Sequence, residues 1–180
     1  VFPPAQARHA FGLMGKLGWG TPTLITLEIG LMIEVPNPVT LAILGVIKMA
    51  LPEEEKPTLK LQVNFIGIID FEAQYISFDA SLFDSKLLNF TLEGDMALRI
   101  KWGNQSNFIF TIGGFHPSYT PPPLALPEMR RLSINILIGN PRLTASTYFA
   151  VTSNTVQFGA AVDFYYKVSK YKVIGYLDFD

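Results

Sequence analysis

The chain has no cysteine, only two histidines and few charges. Without cysteine there is no disulfide, no thiolate metal site and no cysteine nucleophile. The compartment is left open by that absence. His9 and His116 are the only histidines, and neither has a carboxylate cluster at ligand spacing, so the metal case is weak. Charged residues make up 16% of 180, against about a quarter in an ordinary soluble domain. The net charge is −1. There is no basic excess to neutralise phosphates, which argues against nucleic acid as a partner, and no polybasic run to hold an acidic membrane surface. No apolar run approaches the ~18 residues of a membrane-spanning helix. A Gly-x-Ser-x-Gly elbow is lacking, and Gly113-Gly114 lacks the Lys-Ser/Thr that would complete a phosphate loop. The expectation is a protein that is not an enzyme and needs no cofactor.

What is present is alternation. Hydrophobic residues make up 49% of the chain, and they recur at every second position. Ile25, Leu27, Ile29, Leu31, Ile33 and Val35 fall on one face of an extended segment, with Thr26, Glu28, Met32 and Glu34 on the other. Period two is the signature of a half-buried strand, because successive side chains point to opposite faces. Pro36-Asn37-Pro38 ends the run. Residues 39–51 are apolar on both faces; helix is the rival there, and the Val/Ile content favours strand. A charged turn at 52–57 follows, then a long strand from 59 to 71 and another over 75–82. A single strand is predicted over 87–102, with Leu88, Phe90, Leu92, Met96, Leu98, Ile100 and Trp102 on its apolar face and Asn89, Thr91, Glu93, Asp95, Arg99 and Lys101 facing water. Phe108, Phe110 and Ile112 begin the next. Further strands are read at 132–138, 142–151, 155–168 and 171–180, about nine or ten in all, joined mostly by short connections. The predicted fold is all-β, an antiparallel meander of long strands forming a sandwich, a curved sheet or a partial barrel. Residues 1–180 read as a single β-rich domain or a fragment of a larger one, with 1–22 as an N-terminal segment. The one long irregular stretch, 113–129, is rich in proline. Such a stretch inside a compact domain often crosses an edge or covers something.

Several strings are recognisable in order: Leu17-Gly18-Trp19-Gly20-Thr21-Pro22-Thr23-Leu24, Phe78-Asp79-Ala80-Ser81-Leu82, Asp84-Ser85, Gly94-Asp95-Met96-Ala97-Leu98-Arg99, Gly113-Gly114-Phe115-His116-Pro117 and Thr152-Ser153-Asn154-Thr155-Val156-Gln157-Phe158-Gly159. Together they resemble an uncharacterised domain family, domain of unknown function 6603, of very large bacterial and some fungal proteins. The resemblance covers nearly the whole chain and implies that it is a piece of a longer domain. It carries no activity and supplies no catalytic residues.

The candidate chemistry is sparse. Asp79, Asp84 and Asp95 read as solvent-face and turn carboxylates rather than a glycosidase pair. His116, Pro117 and Tyr119 are candidate interaction residues on the irregular segment. Phe90, Leu92, Leu98, Trp102, Phe108 and Phe110 are candidate lining residues of an apolar groove. Phe164-Tyr165-Tyr166 must point aromatics to both faces. The expected function is a non-catalytic structural or interaction module, with the remainder of a larger protein or other protein subunits as partners. A lipid or hydrophobic-ligand groove and an outer-membrane barrel segment are the alternatives. If Leu98 lies on the apolar face, Leu98→Asp should prevent folding, since an unpaired charge would enter that face; loss of the strand signal in circular dichroism checks this.

Overall fold

A computed structural model describes residues 9–35 and 40–179. The strand break read at Pro36-Asn37-Pro38, Val39 at the start of the next run, the residues before His9 and the last residue lie outside that set. All regular structure among the described residues is β: β1 (His9–Trp19), β2 (Ile25–Val35), β3 (Thr40–Leu51), β4 (Leu59–Asp70), β5 (Tyr75–Leu82), β6 (Ser85–Leu87), β7 (Phe90–Glu93), β8 (Asp95–Lys101), β9 (Asn107–Ile112), β10 (Leu132–Leu137), β11 (Arg142–Thr152), β12 (Val156–Val168) and β13 (Tyr171–Phe179). All pair antiparallel in one sheet. The segment with apolar residues on both faces is strand, as its Val/Ile content favours.

The pairings close a ring through β4-β5-β8-β9-β11-β10-β7-β6 and back to β4, a partial-barrel-like arrangement within the sheet. Register explains how. β5 and β6 run along the same edge of β4, at Val63–Asp70 and at Leu59–Lys60. β9 and β10 run along the same edge of β11, at 149–152 and at 143–147. Thus β5 with β6, β8 with β7, and β9 with β10 lie end to end, and the thirteen strands occupy ten positions in a next-neighbour meander.

One expectation is corrected. The predicted strand over 87–102 is two strands: Leu88 (φ 55°) belongs to the turn before β7, and Gly94 (φ 154°) separates β7 from β8. A Cβ at Gly94 would sit 2.9 Å from the Leu132 backbone, so the kink takes a residue with no side chain. Within the N-terminal segment, for which no strand is predicted, residues 9–19 form β1, in full register with β2. Phe11, Leu13, Leu17 and Trp19 alternate there as in other strands, but Gly12, Gly15 and Gly18 thin the pattern.

Near the middle of the sheet, glycine and phenylalanine interlock across strands. Phe65 faces Gly45 and Phe78 faces Gly67 as direct partners. A Cβ at Gly45 would fall 2.7 Å from the Phe65 ring and 2.3 Å from Glu28 O. The two rings stack with centroids 5.8 Å apart, 20° from parallel. The aromatics therefore lie over glycine backbone instead of standing off it. Gly45→Ala should cost about 1–3 kcal/mol by overpacking, read as a lower urea midpoint with unchanged slope.

Candidate functional site

Direct cross-strand partners share a face, so the pairings assign every strand residue to one of two surfaces. One carries Phe11, Leu13, Leu17 and Trp19 of β1, all odd positions of β2 to β4, Ile76 and Phe78 of β5, and Met96, Leu98 and Ile100 of β8. It continues through Phe108, Phe110, Phe149, Phe158, Val162, Phe164, Leu177 and Phe179. No Lys, Arg, Asp or Glu of any described strand projects from it; His9, Ser85 and Thr147 are its polar members. The predicted groove residues Phe90, Leu92, Leu98, Phe108 and Phe110 all lie on this face and are half-buried. Trp102 sits just past β8, its backbone N–H donating to Gln74 O. Toward the edges the face opens: Phe149 is 41% exposed, Phe158 59% and Leu177 70%.

The opposite face carries the charges, yet at its centre it is the more deeply buried. Ala97, Arg99, Ile109, Thr111, Tyr148, Ala150 and Thr152 are all buried there. This corrects the expectation that Arg99 faces solvent, while Asp79 beside it stays one-third exposed (33%). The cause is the proline-rich segment, which leaves the sheet after β9, crosses this face as a strap and rejoins at β10. Gly113 and Leu132, its two ends, lie side by side: a Cβ on Gly113 would fall 2.8 Å from Leu132 N.

Side chains of the sheet hold the strap by its backbone. Arg99 donates to Ala125 O (3.2 Å) and to Asp79 Oδ2 (3.0 Å), as well as to Phe78 O and Leu98 O. Tyr75 Oη donates to Leu124 O (2.9 Å), and burial raises its phenol above the usual value. Thr111 Oγ1 donates to Gly114 O. Arg131 bonds Gly113 O and lies 4.1 Å over the Tyr148 ring. At the exit, Arg130 Nη2 donates to Asp95 Oδ1 (2.6 Å) and its backbone N–H to Asp95 Oδ2 (2.7 Å). Burial acts to raise the Asp95 carboxyl, but the Arg130 and Ser81 hydrogen bonds outweigh it and hold the group below the ordinary carboxylate value.

The predicted loop residues are on the strap. His116 N–H donates to Gln157 Oε1 and its Nδ1 accepts from Ser118 N–H, as a turn histidine would. Tyr119 packs on Phe115 with centroids 5.4 Å apart and bonds Thr152. Pro117 is exposed. His116 and Tyr119 line a shallow hollow of about 450 Å³ with Ser118, Tyr148 and Gln157. The three aspartates do not converge: Asp79 pairs with Arg99, Asp84 with Lys60 and Asp95 with Arg130. Among the described residues no three of His, Asp or Glu come together as metal ligands.

The chain belongs to the family of unknown function DUF6603, whose model matches residues 1–180. No curated protein and no solved structure matches it.

Since the folded Asp95 carboxyl is depressed, its contribution is present above the unfolded value of ~3.9 and is lost as pH falls through the lower folded value. Amide exchange over 113–131, corrected for intrinsic rate, should therefore accelerate in that acid range in the native chain. In Asp95→Asn it should already be fast at neutral pH.

Proposed function

We propose that this chain is a non-catalytic interaction module, and that it works through its apolar face by seating the hydrophobic chains of lipid. The observation that carries this reading is the charge-free face running across all ten strand positions. At ~4.8 Å between strands and ~3.3 Å per residue, it covers on the order of 1,600 Å². Soluble monomers rarely expose apolar patches beyond a few hundred Å². Phe65 and Phe78 lie over glycines, so the centre of the face offers a smooth surface suited to fluid acyl chains, with few knobs for interdigitation.

The area itself favours a second reading, another β-layer from the remainder of a larger protein or another subunit. Two such faces stacked would bury on the order of 3,200 Å², within the range of obligate interfaces. Purification without detergent, followed by native mass spectrometry and organic extraction, separates the two. Lipid bound to a single chain supports the first reading; a lipid-free face-to-face dimer supports the second. A lipid-free, stable monomer would remove the apolar face as the working surface.

A further inference from the structure

At one end of the sheet the turn between β10 and β11 meets the hairpin of β12 and β13. Asn140 clamps this junction, accepting from Lys167 N–H at 2.7 Å and donating to Lys167 O. Arg142, Lys167, Lys170 and Lys172 are thereby gathered at one tip, in a chain whose net charge is −1. Arg142 and Lys172 flank the same ring, 5.6 and 5.5 Å from the Tyr165 centroid. Lys167 and Lys172 are direct cross-strand partners. Like charges placed opposite each other destabilise a sheet. Among the described residues none of the four cations forms an ion pair; the carboxylates that are paired serve Lys16, Lys48, Lys60, Arg99 and Arg130. Asp163, the acid on this face of β12, stands further along the strand beside Thr144 and Tyr176. The opposite face of the same tip is apolar and open. Val168 and Val173 are about half exposed and Tyr171 is 80% exposed.

We propose that this tip docks on an anionic lipid surface, with Val168, Tyr171 and Val173 entering the acyl boundary and the four cations meeting phosphates. A cation cluster alone would suit nucleic acid equally. The exposed aliphatic and tyrosine side chains beside it gain nothing there, whereas a bilayer interface rewards both halves. The inference uses the apolar face discussed above but rests on the unpaired cations, which that reading does not need.

Co-sedimentation of the full chain with phosphatidylcholine vesicles, and with vesicles containing phosphatidylglycerol, tests it. Binding should be strong only to the second kind and should weaken with salt. Each cation removed should lower affinity about fivefold, so Lys167→Gln, Lys170→Gln and Lys172→Gln together should lower it about a hundredfold. The same charge change at Lys48, Lys60 and Lys86 should leave vesicle binding in place, which separates a local site from net charge. Equal binding to both vesicle types, an unaffected triple variant with a native circular dichroism spectrum, or preference for single-stranded DNA over anionic vesicles would overturn the proposal. Any lipid seated on the wider face should survive in the triple variant. Anionic-vesicle binding without co-purified lipid would instead retain the tip and discard the seated-lipid reading.

Discussion

Parity is the constraint on which the structure depends. In an antiparallel ladder each residue opposes a partner on the same face, so one register assignment fixes the side of every residue linked to it. Here the assignment runs unbroken from β1 to β13. A slip of one residue anywhere would turn charges such as Glu28, Lys48 or Asp163 onto the apolar side. The segregation is thus both a product of the fold and what locks its register.

That parity made most of the fold legible in the sequence. The runs at 25–35 and 59–71 carried their faces openly. The groove candidates Phe90, Leu92, Leu98, Phe108 and Phe110 were found by counting in twos. The consecutive aromatics Phe164, Tyr165 and Tyr166 take opposite faces: the first and third join the apolar surface and the second sits between Arg142 and Lys172. β1 escaped because its glycines gave the count little contrast.

Less legible was anything that depended on what lies above the sheet. Arg99 has the sequence context of a solvent-facing residue, and it is buried because a distant segment crosses over it. The full cluster was equally hidden: Lys167, Lys170 and Lys172 share one hairpin, but only the fold brings Arg142 beside them, and the overall charge is near zero. Tertiary contact, rather than local pattern, creates both.

The strap departs from and returns to the same rung of the ladder, as Gly113 beside Leu132 shows. The sheet therefore does not count the residues within it. Length can be gained or lost between those two positions without sliding any strand against its neighbour, so the covering of the polar face is free to diverge while the weave beneath it stays fixed.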